Sequence, residues 1–185
     1  MSLASAITTS DTITGRWEVD PAHSSVDFRV RHAGVARVRG TFGVFEGELV
    51  VAPDGGITAR GEIDAASLTT RLRIRDDHLR SSDFLDTERH PRISFSSTTV
   101  VVGEGGAVRM LGELTIRGVT REIDLTGEIL GSGRDDDGAE RLGLALEGRL
   151  DRRDYGLTWN AAVEGGGMLV GNRVDIALEI SAVRG

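Results

Sequence analysis

Apolar and polar residues alternate along most of the chain from Trp17 onward, with the period of two that is typical of β-strands. In the first clear strand, Val26, Phe28 and Val30 lie on one face, and the charged residues between them lie on the other. Similar runs recur up to Ile180. Each predicted strand therefore has one apolar face and one solvated face, as in an antiparallel sheet.

Turn signals separate these runs, and glycines also occur inside them. Pro53-Asp54-Gly55-Gly56 and Glu104-Gly105-Gly106 are strong turn sequences. Gly40, Gly43 and Gly47 lie within one long run, where glycine indicates the bends or bulges that a closing sheet requires. Closure removes unpaired strand edges, so the pattern predicts an all-β, antiparallel, up-and-down barrel of about eight strands.

Residues 67–91 interrupt the alternation. Helical spacing places Arg71, Arg75 and His78 on one face of this segment. We predict one helical insert over residues 72–85, about 20 Å long at 1.5 Å per residue. A helix inserted between barrel strands can lie across a mouth of the barrel.

The chain of 185 residues, with 39% hydrophobic and 28% charged residues, is typical of one globular domain, which we place at residues 15–185. Residues 1–14 are predicted to form a disordered N-terminal tail. They have no basic start and no apolar stretch of signal-peptide length. We therefore expect a cytoplasmic protein, or a periplasmic or secreted one if a signal was removed. No run approaches the roughly 18 apolar residues of a membrane helix.

Composition excludes several kinds of chemistry. The net charge of -7 argues against a broad nucleic-acid-binding surface. Cysteine is absent, which excludes disulfides, thiolate metal sites and a cysteine nucleophile. All 22 basic residues are arginine, so no lysine can serve as a general base or form a Schiff base.

No catalytic or metal-ligating constellation stands out. The four histidines, His23, His32, His78 and His90, do not have a metal-helix spacing, and no serine has a nucleophile-elbow context. We predict no catalytic residues and no metal site. One alternative remains open: an enzyme that acts on an apolar substrate, with His32 or His78 transferring the proton.

The apolar strand faces are the remaining signal. An eight-stranded barrel either fills its interior with side chains or holds a ligand there. Gly112, Gly127 and Gly148 have inward parity and leave volume unfilled, unless large neighbouring residues occupy it. A ligand-binding cavity and a packed interior, the latter in a stress-related scaffold protein, are both open at this point.

Five stretches follow one another in a recognisable order: Trp17–Phe28 with Arg31-His32 after it, Val38–Phe42, Arg75–Phe84, Gly112–Arg121 and Arg152–Leu157. They resemble the motifs of the YceI family of polyisoprenoid-binding, lipocalin-like barrel proteins, and the resemblance runs from Trp17 to about Ala182. It implies an extended lipocalin-like β-barrel that binds, stores or transports a long isoprenoid lipid, such as a polyprenyl phosphate or a quinone-like molecule. No other cofactor is expected.

The resemblance and the strand parity together identify candidate lipid contacts. They are Phe28, Val30, Phe42, Leu79, Phe84, Phe95, Met110, Leu114, Ile123, Leu125, Leu144, Leu146, Ile176 and Leu178. Arg71, Arg75 and His78 on the helix, joined by Arg39, are candidates for the lipid head group, since arginine binds phosphate through two hydrogen bonds. Alternatively, Arg75 pairs with nearby carboxylates and tethers the helix. The alternating strands permit a homodimer without requiring one.

Overall fold

The computed structural model describes residues 13–185. Its strands are β1 (Gly15–Val19), β2 (Ser25–His32), β3 (Ala36–Phe42), β4 (Phe45–Val51), β5 (Ile57–Asp64), β6 (Leu68–Thr69), β7 (Arg92–Val102), β8 (Ala107–Ile116), β9 (Val119–Arg134), β10 (Glu140–Asp151) and β11 (Val170–Arg184). Helix α1 (Arg73–Arg80) lies between β6 and β7, and short 3₁₀ turns occur at Pro21–His23, Ala65–Ser67, Glu104–Gly106 and Arg152–Tyr155.

Eight strands close into an antiparallel barrel. Their order around the barrel is β1-β4-β5-β7-β8-β9-β10-β11, and β11 pairs again with β1. From β7 to β11, neighbours in sequence are also neighbours in the sheet, and their apolar faces point inward. The predicted eight-stranded antiparallel barrel with a helical insert is confirmed.

The barrel is less regular at the end where β2 and β3 lie. β11 pairs with β1 near its C-terminus and with β2 along Val170–Glu179, so β1 and β2 are two parts of one bent strand. β3 pairs with β2 on one side, but on the other side only Thr41 and Phe42 pair with β6. The sheet is therefore open between β3 and the first residues of β4, and the segment that contains α1 spans this opening.

The opposite end of the barrel is packed with side chains. Ile13, Trp17 and Leu142 are all at most 4% exposed there, and the indole Nε1 of Trp17 donates to the carbonyl of Ile13 at 2.7 Å. The guanidinium of Arg184 lies 5.0 Å from the centre of the Trp17 ring. Residues 1–12 of the predicted tail lie outside the described residues, and Ile13 is buried.

Helix α1 is shorter than the predicted span of 72–85. Ser81 has an extended backbone, and both its amide and its hydroxyl donate to the carbonyl of His78, at 3.1 and 2.7 Å. The carbonyl of Leu79 then accepts from the amide of Leu85. Serine competes with the helix through such local bonds, so the chain leaves the helix at Arg80 and continues in turns.

The inward glycines of β8, β9 and β10 do not create the interior space. A Cβ at Gly112 would lie 2.5 Å from the Phe95 ring, and one at Gly148 would lie 2.4 Å from Leu125. At Gly127 a Cβ would collide with the backbone of the adjacent strand. Neighbouring groups therefore occupy these positions, which was the alternative left open by the sequence.

Asp20 holds the break between β1 and β2 in place. Its carboxylate accepts hydrogen bonds from the amide of Ala22 at 3.0 Å, from His23 Nδ1 at 2.7 Å and from Arg141 Nη1 at 2.8 Å. The bonds from Arg141 and His23 lower the pKa of Asp20 from its ordinary value of 3.8 to about 2. The folded state therefore favours the ionised carboxylate.

A pH-dependent loss of stability follows from this depressed pKa. The stabilisation by Asp20 is complete above the unfolded-state pKa of 3.8 and is lost as the pH falls towards about 2. We expect Asp20→Asn to lower the free energy of unfolding at pH 7, and the difference from wild type to shrink on acidification from pH 4 to pH 2. Urea unfolding at each pH measures this, and a difference that stays constant across that window would contradict it.

Candidate functional site

A cavity of about 760 Å³ occupies the half of the barrel next to α1. Every residue that the sequence analysis named as a lipid contact, from Phe28 to Leu178, lines it. Most other lining residues are also aliphatic or aromatic. The interior is thus hollow at one end and packed at the other, contrary to the packed-interior alternative. The roles of these residues in ligand binding stay predictions.

Two facing glycines lie in the wall of the cavity, and only Gly61 leaves space there, because a Cβ at Gly47 would lie 2.9 Å from the carbonyl of Arg60. Gly47 on β4 and Gly61 on β5 are register partners with inward parity, and both line the cavity. A Cβ at Gly61 would meet only the carbonyl of Glu46, at 3.3 Å. The wall at this point is bare backbone, whose polar groups belong to the ladder between the two strands.

A buried carboxylate anchors the start of α1. Asp76 is 6% exposed and accepts hydrogen bonds from the amide and the hydroxyl of Thr70, at 2.7 and 2.5 Å, and from the Thr69 hydroxyl at 3.0 Å. Burial raises the pKa of Asp76, but these hydrogen bonds and the charge of Arg80 outweigh it and lower the pKa overall. Arg80 in turn donates to the carbonyls of Ala66 and Leu68, so the helix is tied to β6 at both ends.

Two of the four predicted head-group residues lie at the cavity. Arg75 and His78 on α1 both line it. Arg75 donates to the hydroxyl and the carbonyl of Thr70, at 2.7 and 3.0 Å, so its tether is not the predicted carboxylate pair. Its Nη1 has no hydrogen-bond partner among residues 13–185. His78 Nε2 bonds to Asp83 at 2.8 Å.

The other two predicted head-group residues do not line the cavity. Arg39 on β3 is exposed on the outer face of the sheet, because the inward parity of this strand belongs to Val38 and Gly40. Arg71 is exposed, precedes α1 and has a positive φ of 63°, so it does not continue the helical face of Arg75. Neither side chain lines the cavity.

An aromatic cluster covers the cavity beside α1. The His78 ring packs edge-on against Trp159, with centroids 4.5 Å apart, and against Phe84, with centroids 5.0 Å apart. The Phe84 and Trp159 rings are 5.3 Å apart. Trp159 belongs to the connection between β10 and β11, whose sequence lacks strand or helix periodicity, so pattern analysis missed it.

A buried arginine fixes that connection. Arg152 is 4% exposed and donates to the carbonyls of Leu157, Trp159, Val170 and Gly171, and to Asn172 Oδ1. Burial lowers the pKa of Arg152. Five acceptors from both ends of the connection thus surround one guanidinium, which holds Trp159 over the cavity. The stretch Arg152–Leu157 was one of the family-like motifs in the sequence, but the motif did not indicate which groups Arg152 binds.

Within the described part of the chain, no group of three or more acidic, histidine or cysteine side chains is arranged to hold a metal ion. No helix in residues 13–185 has the length and apolar character needed to cross a bilayer. His32 and His78, the proton-transfer candidates of the enzyme alternative, both line the cavity.

The family model described as YceI-like domain matches residues 17–182. The chain belongs to the YceI-like family. Among similar proteins, a UPF0312 protein of Staphylococcus aureus strain N315 is 34% identical over 170 residues, which cover 88% of this chain and 93% of the relative. A UPF0312 protein of Vibrio cholerae O395 is 36% identical over 139 residues, which cover 74% and 73%.

Solved structures share the YceI-like fold. BcnA of Burkholderia cenocepacia superposes with a TM-score of 0.74 at 18% identity, over 88% of this chain and 98% of that one. A Campylobacter jejuni YCEI protein gives 0.68 at 24% identity, over 84% and 90%. A polyisoprenoid binding domain from Saccharophagus degradans, implicated in plant cell wall breakdown, gives 0.70 at 16% identity, over 91% and 98%.

In this YceI-like barrel, Arg152 and its neighbour Arg153 offer a matched test. Arg152→Ala leaves several buried carbonyls without a donor, which costs about 3 kcal/mol or more in the free energy of unfolding. Arg153 is exposed and pairs with Asp151 at 2.6 Å, so Arg153→Ala should stay close to wild type. Chemical unfolding measures both, and similar losses in the two variants would contradict the role assigned to Arg152.

Proposed function

We propose that this protein binds a long-chain isoprenoid lipid in the barrel cavity and carries or stores it. The observation that supports this is the apolar cavity of about 760 Å³, packed shut by side chains at one end and bordered at the other by α1 and Trp159. A pocket with one closed end suits an elongated molecule that enters tail first.

The wall chemistry suits a branched hydrocarbon. Its aliphatic and aromatic side chains offer close packing but few hydrogen bonds, and an isoprenoid tail needs none. Each buried CH₂ contributes about 0.8 kcal/mol, so one five-carbon unit contributes roughly 4 kcal/mol before ordering costs. Several units would reach the practical ceiling of about 20 kcal/mol, so the dimensions of the cavity, rather than energy, should set the chain length.

The comparisons support the same class of ligand. One structural neighbour is described as a polyisoprenoid binding domain, and it covers 91% of this chain. The polar end of the lipid would lie beside α1, where Arg75 and His78 line the cavity. Arg75 Nη1 is available for a phosphate or a quinone oxygen there, while the Thr70 bonds hold the rest of the guanidinium in position.

Native mass spectrometry of protein purified from its own host, followed by lipid extraction, tests the proposal. We expect a non-covalent adduct that extracts as an isoprenoid. Delipidated protein should also gain thermal stability from polyprenyl phosphates, since a ligand that binds only the folded state stabilises by about 2.7 kcal/mol at 100 times Kd. Protein that yields no isoprenoid and whose melting temperature is the same with and without these lipids would refute the proposal.

The closed end provides a sharper test of chain length. Ala59 lines the cavity and pairs with Leu49, which also borders the small packed void at the closed end. Ala59→Trp should therefore shorten the cavity and shift the bound lipids towards fewer isoprene units. Ala177→Trp is the matched control, because Ala177 lies on the outer face between the inward Ile176 and Leu178. An unchanged length distribution in folded Ala59→Trp would contradict the assigned orientation of the lipid.

A further inference from the structure

Large apolar side chains face solvent around the cavity opening. Leu72 and Ile74 line the cavity but are 50% and 82% exposed, Val35 at the β2–β3 turn is 92% exposed, and Met168 is 55% exposed. We call these four residues the mouth rim. Single exposed apolar residues are common on soluble proteins, but a group around one opening indicates an interaction site.

Backbone contacts bring the parts of the mouth rim to the same end of the barrel. The amide of Ala33, in the β2–β3 turn, donates to the carbonyl of Leu169 at 2.7 Å, next to Met168. Leu169, His32 and Ile74 line the same cavity, so the turn, the β10–β11 connection and α1 surround one opening.

Arginines without carboxylate partners lie beside the rim. Arg29, Arg31, Arg37 and Arg39 are exposed on the outer face of the β2–β3 hairpin, and among residues 13–185 none of them has a carboxylate within 4 Å. Asp175 is the register partner of Arg29, but its carboxylate pairs with other arginines, at 2.8 and 3.1 Å.

The strand register places these arginines opposite one another, which lowers the stability of the sheet. Arg29 lies directly opposite Arg39, and Arg31 lies directly opposite Arg37. Like charges in opposed cross-strand positions destabilise a sheet. Charges on the open edge of β3 can prevent edge-to-edge pairing, but β2 is paired on both sides, so this does not account for Arg29 and Arg31.

The start of α1 adds to the same positive region. Arg71 is exposed, and Arg73 is 94% exposed with only a loose contact of 3.7 Å to Asp77. The whole chain has a net charge of -7, and these arginines form a patch of the opposite sign on its surface. Apolar side chains surrounded by arginines are complementary to a bilayer with anionic head groups, where the apolar groups enter the interface and guanidiniums meet phosphates.

We propose that the mouth rim and the arginines around it dock onto the surface of a bilayer containing anionic phospholipids, with the cavity opening facing the membrane. In this orientation an apolar cargo passes between bilayer and barrel without crossing water. The docking surface adds a bilayer as a partner, and the nature of the cargo rests on the proposed function. Phosphates at the membrane surface also relieve the repulsion between the opposed arginines.

Vesicle co-sedimentation of the full chain tests the docking. We expect binding to vesicles of phosphatidylglycerol and phosphatidylcholine, much weaker binding to phosphatidylcholine alone, and weakening as salt rises. Arg31→Gln and Arg37→Gln should each lower the partition coefficient about fivefold. Ile74→Ser should lower it about tenfold or more.

Matched controls lie at the packed end of the barrel. Leu130 is 59% exposed there, and Arg134 pairs with Glu140 in the same region, so Leu130→Ser and Arg134→Gln should bind vesicles like wild type. Each of three results would overturn the proposal. The protein fails to bind anionic vesicles, the rim variants bind like wild type, or the control variants lose as much vesicle binding as the rim variants. If this surface instead binds an acidic protein, the chain should not bind anionic vesicles.

Native mass spectrometry of the same preparations separates the two proposals. Protein that binds anionic vesicles but holds no isoprenoid retains the docking surface and refutes the proposed cargo. Protein that holds isoprenoid but does not bind anionic vesicles refutes only the docking surface. Circular dichroism melts of each variant confirm that the compared proteins are folded.

Discussion

A closed sheet satisfies its own backbone hydrogen bonds, and the large apolar cavity depends on this. A hollow interior gives backbone amides and carbonyls no water and no side-chain partners, and an unpaired buried group costs free energy. Here eight strands pair around the barrel, with the last strand returning to the first, so the inner surface away from the opening beside α1 consists of side chains and paired backbone. Even where Gly47 and Gly61 leave bare backbone, the ladder between their strands provides the partners.

The irregular end of the barrel is organised by a few polar anchors rather than by a continuous sheet. Asp76 and Thr70 hold the start of α1, and Arg152 holds the β10–β11 connection through backbone carbonyls. Each anchor is buried and satisfied, so the loops that border the cavity are fixed without filling it with side chains. A hollow end therefore exists beside a packed one in the same sheet.

The inside and the outside of this hollow end differ in their chemistry. Inside, the wall is mostly aliphatic and aromatic, and Arg75 and His78 are the polar groups of α1 that line the cavity of the proposed cargo. Outside, opposed arginines and the exposed mouth rim form a region whose charge differs from that of the rest of the molecule. Both sets converge on one opening, which suits transfer of an apolar molecule from a membrane.

Strand periodicity in the sequence determined the barrel and its lining, because alternation assigns each side chain to a face without knowledge of its neighbours. The same parity excludes Arg39 from the interior, although grouping it with the helix arginines had suggested otherwise. Helical spacing did not predict that α1 ends at Arg80, because this depends on local hydrogen bonds. Nor did it predict that Arg71 lies outside the helix, because this depends on a positive backbone φ angle.

Only the tertiary structure decided whether the interior is hollow, and where. The space at Gly112 and Gly148 is taken by Phe95 and Leu125 from adjacent strands, while the cavity lies elsewhere. Arg152 and Trp159 also make contacts within a connection whose sequence has neither strand nor helix periodicity. The reason is that alternation determines the direction in which each side chain points but not how much of the interior volume is filled. That volume depends on which side chains of different strands meet.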